Sequence, residues 1–334
     1  MIAVTQLALL PPGNGQRTLR RSGGFSAKIL LQPRIALHVK YAATPLTTLE
    51  RKLEDLPLLP TVVAEVLSLN PDSEDYFDRL LHLAERDPPF AVRVLRCANS
   101  ATSAPANPIV SLQQGIARLG TRRCADLVLA VAVIKVFVPR SEAQRLLWIH
   151  SLQVAIFARA FCQRLPTILA NPDQAYLCGL LHDIGRFVQF EGAPADLTEV
   201  NDTHWASPKE LVESEQRALG YDHSLLGWSA CRKWALPSMI GEVVRRHHEA
   251  PSPREGGLDE LVRIVQWADR LSMALMLDTQ LAKAGDDDLP AALRTRITDI
   301  GPAGVTKAPP SWLEWVPKLR AESARLAAEL QLFP

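Results

Sequence analysis

The sequence has no C-x-x-C pair among its five cysteines, no apolar run long enough to cross a bilayer, and a net charge of only +1. Each absence closes off a class of protein. Cys97, Cys124, Cys162, Cys178 and Cys231 stand singly among apolar neighbours, which points to reduced thiols in a cytoplasmic protein rather than a disulfide framework. The longest apolar stretch, Leu127 to Val138, is too short for a membrane span and contains Lys135, so it reads as a buried core helix. Leu7 to Leu10 lacks a basic segment before it and is followed by Pro11-Pro12-Gly13, unlike a signal peptide. Near-neutrality leaves no overall field to draw nucleic acid or an anionic membrane. No alternating strand pattern competes with helical spacing after residue 45, and no internal repeat is present.

What is there is helical. The 334 residues suffice for one large domain or two small ones, and 47 % apolar with 22 % charged residues is an ordinary globular composition. Residues 1 to 45 fit a short strand pair, a helix or a loosely docked extension. Helices are expected over Thr61 to Leu69, Ser73 to Glu85, from Pro88 to Asn99, Ile116 to Leu119 and Cys124 to Val138. Ser141 and Gln144 have capping-box spacing, so a helix runs from there to Leu165. Asn171 as cap, with Pro172 at the first helical position, starts another that passes through His182 and Asp183 and stops at Gly185. Glu191 to Thr203 reads as a connector. Further helices follow over Ser207 to Gly220, Asp222 to Trp234, Pro237 to His248 and Leu258 to about Ala284, before a tail with Trp312, Trp315 and Leu319. The fold class is all-α.

Several ionisable residues lie on the apolar faces of these helices. His150 shares a face with Val154, Phe157, Ala158 and Phe161, and His182 stands one turn from Cys178. His223 lines up with Leu226, Gly227 and Ala230, and His247 follows Ile240, Val243 and Val244. Asp269 lies on the stripe of Val262, Val265, Met273 and Met276. These are core-facing spacings, and an ionisable group in a core is costly unless paired or bound to metal. Five imidazoles (His248 included) and two carboxylates suit one or two divalent ions. Mixed His/Asp ligation favours Fe, Mn, Ni or Zn over Ca or Mg.

Taken singly, each histidine has a plainer explanation as a hydrogen-bonded core residue. Asp222 reads as an N-cap, and Arg245-Arg246 as a solvated turn. His38, His82 and His204 share no face with the others. It is the joint pattern that points to metal.

The order His150, His182-Asp183, His223, His247-His248, Asp269 resembles the ligand series of the HD phosphohydrolase superfamily, particularly its HD-GYP branch. Leu56-Pro57-Leu58-Leu59-Pro60, Leu95-Arg96-Cys97-Ala98-Asn99-Ser100, Ile109-Val110-Ser111-Leu112 and Ile116-Ala117-Arg118-Leu119-Gly120 are similar to motifs of the HDOD family, the HD-related output domains. The likeness runs from about Leu53 to Leu277. It implies an extension over 1–45, an HDOD domain over 46–285 (an N-terminal helical half, 46–140, and an HD-like half, 141–285) and a helical tail over 286–334. It also implies a bacterial signal-transduction role, and HDOD proteins are generally regarded as lacking hydrolase activity. This chain keeps a nearly full ligand series, yet Ala250-Pro251-Ser252-Pro253 stands where HD-GYP enzymes carry a Gly-Tyr-Pro element. Arg186 replaces the Lys of active members.

Two functions follow. The first is a non-catalytic output module that binds a signalling protein, with the HD-like centre a metal site or plain polar core. The second is a metal-dependent phosphohydrolase acting on a nucleotide or cyclic-dinucleotide phosphodiester. There Asp183 would bridge two ions, His150, His182 and Asp269 would complete one shell, and His223, His247 and His248 would hold the other ion. Asp183 and Arg186 would be its catalytic residues. Oxygen chemistry at a di-iron centre is a more distant use of the same ligands.

Overall fold

Capping side chains in the sequence mark where helices begin in the computed structural model of the chain, which describes residues 53, 61–86, 88–100, 107–165, 168–192, 208–250, 257–296 and 310–332. Every regular element among the described residues is helical, as expected. The first half comprises α1 (Thr61–Leu67), α2 (Tyr76–Glu85), α3 (Pro88–Ala98), α4 (Leu112–Leu119) and α5 (Thr121–Val136). The second comprises α6 (Glu142–Arg164), α7 (Pro172–Leu181), α8 (Ile184–Gly192), α9 (Pro208–Leu219), α10 (His223–Lys233), α11 (Ser238–Arg246) and α12 (Gly257–Leu277). After these come α13 (Thr279–Lys283), α14 (Leu289–Arg294), a 3-10 turn at Pro310–Trp315 and α15 (Val316–Glu329). Residues 1–45, the Leu56–Pro60 motif, the connector beyond Gly192, His38 and His204 lie outside the described residues.

Ser141 and Gln144 form the capping box their spacing predicts. Ser141 Oγ accepts from the Gln144 amide at 3.2 Å, and Gln144 Oε1 accepts from the Ser141 amide at 3.1 Å. Asn171 accepts from the amides of Asp173 and Gln174, with Pro172 leading the helix. Asp222 caps α10 by accepting from the Leu225 amide, as read. Asn99 explains one of the motifs. Its amide bonds the carbonyls of Leu95 and Ile109 and the Ile109 N–H, each at 2.8 Å, pinning the incoming segment to the end of α3.

Three expectations are corrected. The helix from Asn171 does not continue through Asp183 to stop at Gly185; it ends at Leu181, and a new helix begins at Ile184 with Gly185 in its first turn. The helix from Leu258 does not reach Ala284. It ends at Leu277, because Asp278 accepts from the Gln280 and Leu281 amides and so caps a separate helix. Arg246 is not in a solvated turn either: it reaches from the last turn of α11 to Asp259 on α12, at 2.7 Å.

The long helix α6 is the central rod. Its Trp148, Leu152, Val154, Ala155, Phe157 and Ala158 are fully buried, and it packs along α7, α12 and α15. Among the described residues it alone has the length and mean hydropathy (1.2) of a membrane span, but 78 % of its apolar window is buried against other helices. Arg159 ties it to the first half: its guanidinium forks onto Asp126 of α5, lies 3.1 Å from Asp173, and stacks 3.9 Å from the centre of the Tyr176 ring. Glu329, at the end of α15, pairs with Arg123 of α5, while its carbonyl accepts from Arg93 at 2.8 Å. The tail therefore closes back onto the first half.

Candidate metal centre

Two glycines bring the relevant helices together. A Cβ on Gly179 would lie 2.8 Å from the Ala155 backbone, so α7 can run close enough to α6 to set His182 beside His150. A Cβ on Gly185 would lie 1.9 Å from the carbonyl oxygen of His223. That contact seats the start of α8, and Asp183 just before it, against the start of α10. A side chain at either position would force the donors apart.

The histidines are aimed by their far ring nitrogens. His182 and His247 occupy the C-cap positions of α7 and α11, where the last carbonyls of a helix have no partner within it. Each turns Nδ1–H back onto such a carbonyl, His182 onto Gly179 O at 2.8 Å and His247 onto Val244 O at 2.6 Å. His150 Nδ1 bonds Ser272 Oγ at 2.9 Å, and that hydroxyl donates to Gln153 Oε1 at 2.8 Å. His223 Nδ1 bonds Glu215 Oε2 at 2.6 Å. Carbonyls and carboxylates only accept, and the Ser272 hydroxyl hydrogen is given to Gln153, so all four rings carry a proton on Nδ1 and in their neutral form present the Nε2 lone pair inward.

These lone pairs face one another. His150 and His182 Nε2 are 3.2 Å apart; His223 Nε2 is 3.3 Å from that of His247 and 3.0 Å from that of His248. At His150–His182 and His223–His247 two lone pairs cannot bond each other, and a cation between them would satisfy both. Nitrogen donors about 2.1 Å from one ion lie roughly 3.0 Å apart in octahedral and 3.4 Å apart in tetrahedral arrangement, and the observed separations fall within that range. The residues present fit metal.

All seven predicted donors gather here, in two sets. His150, His182 and Asp269 form one, and Asp183, His223, His247 and His248 the other. Asp269 Oδ1 lies 3.1 Å from His150 Nε2. Asp183 belongs to both by geometry. Its Oδ1 faces His223 and His247 at 3.3 and 3.6 Å, and its Oδ2 faces His182 and His150 at 3.7 and 3.8 Å. Arg186 Nη1 stands 3.9 Å from Asp183 Oδ2. The exposed His82 plays no part.

Burial opposes charge throughout, and it holds the His182 imidazole down at about 4, so the ring stays neutral. Burial likewise pushes His248 well below its ordinary value, helped by His247 and His223. Asp183 goes the other way. Burial disfavours its charge, but His182, His247, His223 and Arg186 outweigh that and keep it ionised far below the usual carboxylate range. Neutral His182 and His248 beside an ionised Asp183 are protonation states that metal ligation requires. At His223 burial is outweighed by Glu215 and Asp183, which raise the imidazole above its ordinary value.

Glu215, Ser272 and Gln153 complete the site and were missed in the sequence, although a signal existed. Glu215 sits between Leu211 and Leu219 on the buried stripe of α9, Gln153 one turn after His150, and Ser272 one turn after Asp269. Each is a polar residue on an apolar face, the criterion that picked out the donors.

Comparison with known proteins identifies the fold and the family. A Geobacter sulfurreducens HDOD domain protein with unknown function has the same fold at TM-score 0.60 and 23 % identity, covering 86 % of this chain and 98 % of that one. A Marinobacter aquaeolei VT8 protein, provisionally named a signal transduction protein, matches at TM-score 0.63 and 17 % identity over 86 % of this chain and 65 % of its own. At such identities the likeness is one of fold. An uncharacterized protein of Treponema pallidum (strain Nichols) is 22 % identical over 211 residues, which is 61 % of this chain but only 40 % of the length of that relative. The HDOD domain profile matches residues 56–250, more than half of the sequence, and the chain belongs to the HDOD family.

Proposed function

We propose that the chain is a metal-bound output module of signal transduction, built around a pair of divalent transition ions and acting through a protein partner. The observation that carries the metal is the convergence of four Nε2 lone pairs, each fixed by a bond at the opposite ring nitrogen. Burial favours a regulatory over a turnover role. His150, His182, Asp183, His223, His247 and Asp269 are each no more than 5 % exposed, with His248 half-buried, and two cavities of about 520 and 360 Å³ are lined by other residues. Such a centre locks α6, α7, α10, α11 and α12 into one arrangement, leaving the outer faces of the helices to a partner. The test is the metal content of purified protein, with two Fe, Mn, Ni or Zn per chain expected. Absence of metal after reconstitution would leave only a polar core.

The second reading, a phosphohydrolase, is favoured by the split carboxylate of Asp183 and by Arg186 beside it. Ions bound there would supply hydroxide at neutral pH and polarise a phosphoryl oxygen. Asp183 would hold their spacing, and the Arg186 guanidinium would stabilise charge developing on the phosphoryl group. Metal-loaded protein is assayed on bis-p-nitrophenyl phosphate and cyclic dinucleotides. Turnover no faster than that of Asp183→Ala sinks this reading.

A further inference from the structure

The two ion sets differ in charge. Beyond their shared Asp183, the first has the carboxylate of Asp269, while the second has only the imidazoles of His223, His247 and His248. We infer that Glu215 is the positioning and charge partner of the second ion, acting through His223. The inference rests on the two-ion reading above.

Glu215 is completely buried, and its Oε2 accepts twice from one residue: from the His223 backbone N–H at 2.9 Å and from its Nδ1–H at 2.6 Å. Its Oε1 has no hydrogen-bond partner. A carboxylate so far from water is costly unless positive charge opposes it. A cation on the far side of the His223 ring, at Nε2, supplies that charge. The contrast with the neighbouring histidines is direct: His182 and His247 back onto neutral carbonyls and His150 onto a hydroxyl. A carboxylate behind an imidazole fixes the ring and strengthens it as a donor, and losing such a partner lowers metal affinity by roughly 10- to 100-fold. Glu215 thus compensates the second ion for the carboxylate it lacks.

Glu215→Gln keeps the shape and an accepting oxygen but removes the charge. Full-length parent and variant are titrated with Mn²⁺, following stoichiometry by equilibrium dialysis and ion-to-ion coupling by electron paramagnetic resonance. The parent is expected to bind two coupled ions. The variant is expected to keep the first, lose affinity for the second by roughly 10- to 100-fold, and show the uncoupled spectrum of a single ion. Ser272→Ala, acting behind His150, should spare the second ion. Two coupled ions of unchanged affinity in Glu215→Gln would overturn the inference while leaving the two-ion reading intact; fewer than two in the parent would overturn both. If Glu215→Gln does not fold, Glu215→Asp replaces it, keeping the charge further from the ring. Selective weakening of the second ion there supports the inference, and unchanged binding overturns it.

Discussion

The carbonyl oxygen of His223 occupies the space that a side chain on Gly185 would need, 1.9 Å from an ideal Cβ. Gly185 therefore serves the site by close approach, placing α8 against α10 with Asp183 at the junction. Gly185→Ala must push the two helices apart. We expect a loss of about 3 kcal/mol or more, the upper range for overpacking, read by thermal unfolding, together with loss of bound metal. A variant as stable as the parent would show that the two helices can part without cost.

Asp183 faces one donor set with each oxygen, so removing it should affect both ions, whereas Asp269 belongs to one. Asp183→Ala should abolish stoichiometric metal, and Asp269→Asn should reduce it from two ions to one. Elemental analysis after reconstitution decides. Chelation of the parent should lower stability by about 4 kcal/mol for each ion whose free concentration had been a thousandfold above its dissociation constant. An unchanged unfolding temperature would show that metal does not hold the helices together.

Arg159 joins the halves through the carboxylate of Asp126, which burial pushes above its ordinary range even with that partner. Arg159→Ala leaves the largely buried Asp126 without its partner, at an expected cost of about 3 kcal/mol, the lower end for a buried pair. Pairing it with Asp126→Leu should recover much of this in urea unfolding. Failure to recover would place the effect in the lost stacking on Tyr176 instead.

The thiols make an alkaline prediction. All five cysteines are free and buried, and burial pushes Cys97, Cys124, Cys162 and Cys231 up to about 12 from the usual 9. Folding keeps them protonated while the unfolded chain ionises. Stability is therefore full below pH 9 and falls as pH rises from 9 toward 12, by about 1.4 kcal/mol per thiol at pH 10. Urea unfolding at pH 8 and pH 10 measures the loss. Native protein at pH 8 should leave a disulfide reagent unconsumed until guanidinium is added; prompt reaction would show that the thiols are reachable in the folded chain.

The sequence alone determined the class of fold and which His and Asp side chains face the core. Helical spacing, the Ser141 and Asn171 caps and the placement of His and Asp on apolar stripes are local properties, legible one helix at a time. Local pattern misplaced the boundary at Gly185, because glycine there answers to a neighbouring helix distant in sequence. It also passed over Glu215, Ser272 and Gln153, whose importance lies in which ring nitrogen they touch. Only the tertiary structure decided how the seven donors divide into two sets, that Asp183 turns one oxygen to each, and which nitrogen of each ring faces inward. Those facts depend on distances between α6, α7, α10, α11 and α12, set by packing at Gly179 and Gly185. Periodicity shows that a residue faces the core, but not what faces it there.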